Sequence, residues 1–386
     1  MTPHASPGAR ALIPRDHFIG LSDDVSYLYT GAHAPALRVV EDAMVTAYRA
    51  KSRAEDGRSI LFGAEAQARA DVARLAGMRA EDVAFLGDAS TAWSAIANGW
   101  AFRPGDNVVV NEYEHPAVFA PFLRLREHGL DVRVVPRGDD WELSSQSLLD
   151  ACDERTVALC VSHVGYMTGL KHDLSALGEG ARERGIPFLV DVSHSLGVST
   201  MDLSHAALVV SASYKWTLGP YGVGIVGWNR DLLADFRPGA VGWRSLEDIF
   251  TDRRFEELNW NADASRFQMG APALSDIAGL GASSALLGDI GIERIEEHVA
   301  AIVADADRRL RDAGLNVITP ADPARRAGNL AVAVADGEGV AAELARRGVL
   351  AWGGDGRVRA SFHALNDLGD AERFAHELAA VVKERS

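Results

Sequence analysis

The sequence predicts an α/β protein whose large domain holds a mostly parallel seven-stranded sheet between helices, followed by a smaller C-terminal α+β domain. Seven short apolar runs occur within the first 260 residues, and they lack the polar alternation of half-exposed strands. Helix-like stretches separate these runs. Apolar strands that alternate with helices indicate a parallel sheet covered on both faces.

Seven segments account for the predicted sheet. They are DVAFLG (82–87), DNVVVNEY (106–113), DVRVVP (131–136), TVALCVSH (156–163), PFLVDVS (187–193), ALVVSAS (207–213) and GVGIVGW (222–228). The intervening stretches TAWSAIANGWA, PAVFAPFLRLREHG, SSQSLLDACD and DLSALGEGARERG have helical patterns that close near a glycine or a charged turn.

The pattern changes after about residue 265. Two long helical segments lead into NVITP, NLAVAVAD, VLAWGG, RVRASFH and a last helix, which is typical of a smaller α+β domain. The first residues are rich in Pro, Ala and Gly. We therefore predict a loose N-terminal segment over 1–20, a large domain over 21–265 and a small domain over 266–386.

The composition limits the classes of partner. The formal net charge of -15 argues against a nucleic-acid or anionic-membrane surface as the main partner. No signal-like N-terminus and no apolar run of roughly 18 residues is present, so we expect a cytoplasmic protein without a membrane partner. The two cysteines, Cys152 and Cys160, lack metal-ligand spacing, so we expect two inert thiols and no metal site.

Polar side chains follow several of the predicted strands. In an open parallel sheet, ligands bind beyond the carboxyl ends of the strands, so these residues are candidates for a site. They are Asp88 to Thr91, Glu114 and His115, His163 to Thr168, Asp191 and His194, and Ser213 to Lys215.

Asp191 and Lys215 end neighbouring strands of the predicted sheet. A carboxylate so close to a buried strand needs a partner, because an unpaired buried charge is costly. Pyridoxal 5'-phosphate (PLP) requires such a pair: a lysine holds it as a Schiff base, and a carboxylate keeps its pyridinium nitrogen protonated. Its phosphate binds amides at a helix N-terminus, for which GDASTAW (87–93) is the candidate.

Six segments together resemble the class V aminotransferase family of fold-type I PLP-dependent enzymes, which includes cysteine desulfurases, kynureninases and isopenicillin N epimerase-like enzymes. They are GDASTAW, NEYEHPAV, SHVGYMTG, VDVSHSLG, SASYKWTLGPYGVG and RVRASFHALND. They occur in the family's order over about residues 80–370.

The resemblance implies a role for each of four residues around the cofactor. Lys215 looks like the Schiff-base lysine, and Tyr214 before it looks like a phosphate ligand. Asp191 resembles the carboxylate that pairs with the pyridinium nitrogen. His194 matches the position that hydrogen-bonds the phenolic oxygen.

Further residues follow from the same resemblance. His115 matches the histidine that stacks on the cofactor ring, and Ser90 would hold the phosphate together with the amides of Ala89 and Ser90. Arg359 matches the arginine that binds the α-carboxylate of the substrate, a bidentate task that suits a guanidinium group. The family also implies a homodimer with active sites at the interface, for which 238–250 is the candidate segment.

Two departures from the family pattern stand out. Desulfurases carry a nucleophilic cysteine just before the carboxylate-binding arginine, whereas this chain has WGGDG (352–356) there and no cysteine after Cys160. We therefore expect no persulfide mechanism. The Gly-Thr pair that reaches the partner's phosphate is replaced by Gly270-Ala271.

The resemblance implies that Arg359 binds an α-amino acid and that Lys215 takes its α-proton. We expect a β-eliminating lyase or an aminotransferase acting on a modified or sulfur-bearing amino acid. Epimerisation and decarboxylation remain open, as does a PLP-binding scaffold without catalysis. His33 and Trp243 are candidates for the substrate pocket, together with the neighbouring aromatic residues Tyr27, Tyr29 and Trp352 and with Arg244.

Overall fold

The computed structural model describes residues 8–138 and 141–385. The strands in chain order are β1 (Ser26–Leu28), β2 (Val83–Leu86), β3 (Asn107–Asn111), β4 (Asp131–Val135), β5 (Thr156–Ser162), β6 (Phe188–Asp191), β7 (Ala206–Ala212), β8 (Gly224–Trp228), β9 (Asn329–Ala333), β10 (Val349–Gly354) and β11 (Arg357–Ser361). The α-helices are α1 (Arg38–Ala50), α2 (Ala54–Ala76), α3 (Ala89–Gly99), α4 (Pro116–Arg124), α5 (Ser145–Asp150), α6 (Leu174–Glu183), α7 (Leu274–Ile290), α8 (Ile292–Asp312), α9 (Gly337–Arg346) and α10 (Leu368–Arg385).

The larger sheet contains the seven predicted strands, in the order β2-β8-β7-β6-β5-β3-β4. Strand β8 runs antiparallel to both of its neighbours, and all other pairs are parallel. The prediction of a mostly parallel seven-stranded sheet is therefore confirmed.

The larger sheet is buried on both faces, as its sequence indicates. In β5, Ala158 and Cys160 pack into one apolar cluster, while Leu159 and Val161 pack into another on the opposite face. Because adjacent side chains of a strand point to opposite faces, both sets require a covering layer. This explains the near-continuous apolar runs that define these strands.

The second sheet has four strands in the order β1-β10-β11-β9. Strand β1 lies parallel to β10, and the remaining pairs are antiparallel. Strand β1 lies within the range 21–265 that we predicted as the large domain, but its backbone groups pair in the smaller sheet. Helix α7 packs against α1 and α2, while α8 packs against α10 and β9. The boundary between residues 265 and 266 stays a prediction.

The described part of the segment over 1–20, for which we expected a loose conformation, packs on the rest of the chain. Ile13 and Phe18 are 1% and 2% exposed, and the amide of Ile13 donates to the carbonyl of Ala364 at 2.9 Å. Burial of these two apolar side chains explains why the segment is fixed. Residues 1–7 lie outside the described residues.

Within residues 8–138 and 141–385, no helix combines the length and the apolar character needed to cross a membrane. The same ranges contain no group of three or more His, Cys, Asp or Glu side chains arranged to hold a metal ion.

Candidate active site

Lys215 follows β7 and lies 9% exposed beside His194. Its Nζ is 3.3 Å from Nε2 of His194. The other ring nitrogen, Nδ1, accepts hydrogen bonds from Nδ2 of Asn329 at 2.9 Å and from Nε1 of Trp216 at 3.4 Å. A neutral ring with an accepting Nδ1 carries its proton on Nε2. His194 therefore presents an N–H donor to the space around Lys215.

The electrostatic environment favours neutral forms of both groups. Burial lowers the pKa of Lys215 to about 8; the charge of Arg359 acts in the same direction, and that of Asp191 opposes it. Burial, together with the charge of Lys215, holds the pKa of His194 well below its usual value. Lys215 is thus available as a neutral amine, the form that acts as a base or a nucleophile.

Asp191 ends β6 and is held in one orientation. Its Oδ2 accepts from Nε1 of Trp93 at 3.0 Å, and its Oδ1 accepts from the amide of Ser193 at 2.8 Å. A carboxylate has about four acceptor sites, so two such bonds leave capacity for a further donor. The side chain is 7% exposed, which makes the remaining capacity available only to a group inside the site.

His115 caps the N-terminus of α4 and faces Tyr166. Its Nδ1 accepts from the amide of Ala117 at 3.2 Å, and its ring centroid lies 5.2 Å from that of Tyr166 in an edge-on arrangement. Burial and the charge of Lys215 lower the pKa of His115. His115 is exposed in the structure, so a flat group can reach its ring.

The N-terminus of α3 forms a cradle of backbone amides. Asp88 caps this helix by accepting from the amide of Thr91 at 2.6 Å, and helix geometry leaves the amides of Ala89 and Ser90 without acceptors inside the helix. Strand β8 approaches closely because Gly224 lacks a side chain: a Cβ there would lie 2.3 Å from the carbonyl of Asp88. The cradle thus has the amide donors and the helix dipole that bind a phosphate.

Tyr214 and His33 lie at the edge of this cluster. Tyr214 stacks on Tyr221 with the ring centroids 4.3 Å apart, and its carbonyl accepts from the amide of Ala34 at 2.8 Å. The His33 ring lies 6.2 Å from that of Tyr221. The structure therefore brings the predicted pocket residue His33 next to the segment that carries Lys215.

Trp243 lies elsewhere. Its ring is 43% exposed and packs against Phe250 at 5.8 Å, and the structure does not bring it to the cluster around Lys215 within one chain. The sequence could not show this, since the position of a long connecting segment depends on packing. Its role in binding substrate stays a prediction that requires a second subunit.

Arg359 approaches the site from β11. Its Nη1 donates to the carbonyl of Tyr166 at 2.6 Å, and its guanidinium lies 5.2 Å from the ring centre of Trp352. Burial and the neighbouring charge of Arg357 lower the pKa of Arg359 to about 9. A buried guanidinium that uses a backbone carbonyl as acceptor retains donors for an anionic ligand.

Sequence reasoning gave no role to several residues that complete the site. Glu114 follows a predicted strand directly before His115, and that position was its only signal. It is buried, and it accepts from Nδ2 of Asn111 at 2.6 Å and from the amide of Ser162 at 2.7 Å. The other missed residues are Trp93, Tyr166, Asn329 and Arg357.

The fold and the site define a PLP-dependent enzyme of fold type I that acts on an amino acid. The chain belongs to the class V aminotransferase family, whose sequence model matches residues 26–374. The expected cofactor and enzyme class are thereby confirmed.

Relatives and solved structures agree with this assignment. A probable cysteine desulfurase of Methanothermobacter thermautotrophicus is 32% identical over 288 residues, which cover 72% of this chain and 71% of that protein. The apo structure of a cysteine desulfurase from Thermococcus onnurineus NA1 superposes with a TM-score of 0.87 at 25% identity, covering 97% and 100% of the two chains. A complex of the cystine C-S lyase C-DES with cysteine persulfide shares the fold, with a TM-score of 0.85 at 21% identity over 94% and 99% of the two chains.

The residues of this chain fit PLP. Asp191 has unused acceptor capacity for a protonated ring nitrogen, and the His194 Nε2–H can donate to a phenolic oxygen. The amides at the start of α3 offer donors for a phosphate, and a Cβ at Gly224 would lie 2.8 Å from the amide nitrogen of Ala89. These groups lie on separate elements of the fold, and each matches a different polar group of PLP.

Proposed function

We propose that the protein is a PLP-dependent Cβ–S lyase that cleaves a sulfur-bearing α-amino acid. One observation carries the proposal: Arg359 lies close enough to Lys215 for its charge to lower the pKa of the amine, and neither of the two cysteines is near this pair. Cys160 is fully buried inside the larger sheet, and Cys152 lies at the end of α5, where burial raises its pKa to about 11. A persulfide-forming nucleophile is therefore missing from the described site, whereas the groups that elimination needs are present.

Each cofactor contact has a residue to supply it. Asp191 would hold the ring nitrogen, His194 the phenolic oxygen, and His115 one face of the ring. The amides of Ala89 and Ser90, with the Ser90 and Tyr214 hydroxyls, would hold the phosphate. When bound through Lys215, the cofactor supplies an electron sink that makes the α-proton of the substrate acidic.

Lys215 acts as the base of the reaction. Its amine, with a pKa lowered to about 8, accepts the α-proton, and the Cβ–S bond then breaks with its electron pair on sulfur. The sulfur takes up a proton and leaves as a thiol. With one water, an S-substituted cysteine gives a thiol, pyruvate and ammonium, so atoms and electrons balance. Arg359 holds the α-carboxylate during these steps.

The relatives support a sulfur-bearing substrate. They include a probable cysteine desulfurase at 32% identity and a solved cysteine desulfurase at 25% identity. The hairpin between β10 and β11 supports the lyase over the desulfurase. Its tight turn is formed by Asp355 and Gly356, both at positive φ, and it carries no cysteine.

A product analysis tests the proposal. The PLP-loaded protein is mixed with L-cysteine, L-cystine, S-methyl-L-cysteine and S-carboxymethyl-L-cysteine, and pyruvate, ammonium and the sulfur product are measured, which is hydrogen sulfide from cysteine, a persulfide from cystine and a thiol from the two thioethers. We expect the three products in equal amounts from at least one substrate. Keto acid with pyridoxamine phosphate would replace the lyase by an aminotransferase, and an intact yellow band without any product would indicate a binding scaffold.

We also propose that the protein is a homodimer. The segment from Gly239 to Met269 exposes a group of large apolar side chains, and contiguous apolar surface marks interaction sites. They include Val241, Trp243, Phe250, Phe255 and Leu258, of which Phe255 is 88% exposed. Pairing through this segment would allow 238–250 to reach the site of the partner. The cytoplasmic location expected from the sequence also stays a proposal.

A further inference from the structure

Two buried arginines lie side by side on β11. Arg357 and Arg359 are 0% and 3% exposed, and because they are two residues apart in a strand they share one face. Their guanidinium carbons lie 4.7 Å and 5.2 Å from the ring centre of Trp352, which pairs with Arg359 across the hairpin. The same indole ring therefore contacts both cations.

Arg357 packs against Tyr166, a residue at the candidate site. Its guanidinium lies 5.6 Å from the ring of Tyr166, whose other neighbours are His115 at 5.2 Å and His194 at 6.5 Å. The carbonyl of Tyr166 also binds Arg359. Tyr166 thus connects both arginines to the residues around Lys215.

The donors of Arg357 are largely unused. Its Nε and Nη2 are buried and have no hydrogen-bond partner within the described residues. Its Nη1 reaches the carbonyl and the carboxylate of Asp355 at 3.4 Å, and the Asp355 side chain is 64% exposed. The edge formed by Nε and Nη2 is one that binds a carboxylate through two parallel hydrogen bonds.

Arg359 also has a guanidinium donor without a hydrogen-bond partner. Its Nε is buried without a hydrogen-bond partner within the described residues, and its Nη1 donates to the carbonyl of Tyr166 rather than to a carboxylate. Burying two like charges side by side is costly unless anions compensate them. The site therefore has donors and charge for two anionic groups, while one α-carboxylate occupies one arginine.

We propose that Arg357 and Arg359 bind two anionic groups of one substrate, so that the enzyme acts on an α-amino acid whose side chain ends in a carboxylate or a sulfur oxyanion. This inference rests on the proposed function, in which Arg359 takes the α-carboxylate. Both guanidinium carbons lie close to the ring centre of Trp352, at 4.7 Å and 5.2 Å, so two anionic groups of one small molecule can reach them. S-carboxymethyl-L-cysteine, which carries a second carboxylate beyond its sulfur, is a substrate of this kind.

Titration calorimetry with carboxylic acids that cannot react tests whether Arg357 and Arg359 bind two anionic groups. Glutarate and valerate have the same number of carbons but two and one carboxylates, and neither has an amine that could react. We expect the PLP-loaded wild type to bind glutarate at least about 10-fold more tightly than valerate, since charge-assisted hydrogen bonds are among the strong ones. The ratio should fall to near one in R357Q and stay at the wild-type value in R346Q, which changes an exposed arginine outside the site.

Three outcomes overturn the inference. They are an equal affinity for both acids in the wild type, a ratio that survives in a folded R357Q, and an unchanged ratio in R357K. R357K keeps the positive charge but loses the planar guanidinium group that makes two parallel hydrogen bonds. It replaces R357Q in the experiment if R357Q does not fold.

Kinetics separate this inference from the lyase proposal. If S-carboxymethyl-L-cysteine and S-methyl-L-cysteine give pyruvate with equal kcat/KM, the proposal that the two arginines select a dianionic substrate is wrong, while the proposal of a Cβ–S lyase is supported. If neither compound gives pyruvate while wild-type protein still prefers glutarate in a way that depends on Arg357, the lyase proposal is wrong. The proposal that the two arginines bind two anionic groups is then still supported.

Discussion

The Nζ of Lys215 lies 3.3 Å from Nε2 of His194, and the opposite nitrogen of the same ring is held by Asn329. Lys215 follows a strand of the larger sheet, whereas Asn329 begins β9 of the smaller one. One imidazole therefore links the two sheets at the amine that we propose as the cofactor anchor. The orientation of the His194 Nε2–H therefore depends on the position of the smaller sheet relative to the larger one.

Replacing Lys215 by alanine removes the proposed cofactor anchor and base. We expect the yellow absorbance of the loaded protein to disappear and pyruvate formation to fall by on the order of 10²- to 10⁴-fold. Lys171→Ala is the matched control, because that lysine pairs with Glu296 outside the site. A Lys215→Ala protein with an unchanged yellow band would contradict the assignment of this lysine.

Capture of PLP by the apoprotein should depend on pH. The neutral amine is the reactive form, and the pKa of Lys215 is lowered to about 8, so the capture rate should rise as pH approaches 8 and level off above it. Arg359→Gln removes a charge that lowers this pKa and should move the midpoint upwards. Asp191→Asn removes a charge that raises it and should move the midpoint downwards. A midpoint above 10, the value of an ordinary lysine, would show that burial does not act on Lys215.

Glu114 should make stability depend on pH. Burial raises the pKa of its carboxyl to about 7, while the unfolded chain has an ordinary value near 4.3. Between these values the native state holds a proton that the unfolded state releases, so the free energy of unfolding falls as pH rises, by on the order of 3 kcal/mol in total.

Glu114→Gln removes this dependence while keeping the shape of the side chain. Its carbonyl can still accept from Asn111 and the Ser162 amide, and its NH₂ can donate to the Ser162 hydroxyl. We therefore expect the variant to gain stability relative to the wild type as pH rises from about 5 to 8. Urea unfolding at both values measures this, and parallel pH profiles for the two proteins would contradict it.

Gly31→Ala should weaken substrate binding and leave the cofactor in place. A Cβ at this position would lie 2.5 Å from Oγ of Ser361, 3.0 Å from Oδ1 of Asn329 and 3.2 Å from Nη2 of Arg359, so the serine hydroxyl must shift and the guanidinium must give way slightly. We expect KM to rise by between about 10- and 100-fold with an unchanged yellow band. Gly63→Ala, where a Cβ meets nothing within 4 Å, is the control. A normal KM in Gly31→Ala would show that Arg359 does not fix the carboxylate.

Charges in the exposed apolar segment should prevent dimer formation. We expect Phe250→Asp combined with Phe255→Asp to elute as a monomer in light scattering, because both side chains are more than three quarters exposed in one chain. Leu232→Asp is the control at an exposed apolar position outside the segment. A wild-type monomer with full activity would exclude the dimer and the reach of 238–250 into a second site.

The sequence was sufficient for the larger sheet because its strands are buried on both faces. Runs such as that of β5 leave no polar alternation, and the residues that end them meet at one edge by the geometry of parallel strands. Asp191, His194 and Lys215 could therefore be grouped before their contacts were known.

What the sequence did not reveal depends on contacts between distant parts of the chain. Strand β1 has three residues, too few for a periodic pattern, and its partner β10 follows more than 300 residues later. Arg357 looks like any charged residue of a strand, because only the packing of Trp352 and Tyr166 around it shows that its donors are buried. Asn329 gave no signal for the same reason.

The pairing of β1 with β10 also determines when the molecule can be completed during synthesis. All strands of the larger sheet lie between Val83 and Trp228, so they can assemble while the chain is still growing. Strand β1 is made first but must wait for Val349, its partner in register, before its backbone groups are satisfied. The first strand to be synthesised is therefore among the last to pair. The smaller sheet, which contains Arg357 and Arg359, is completed after the larger sheet has formed.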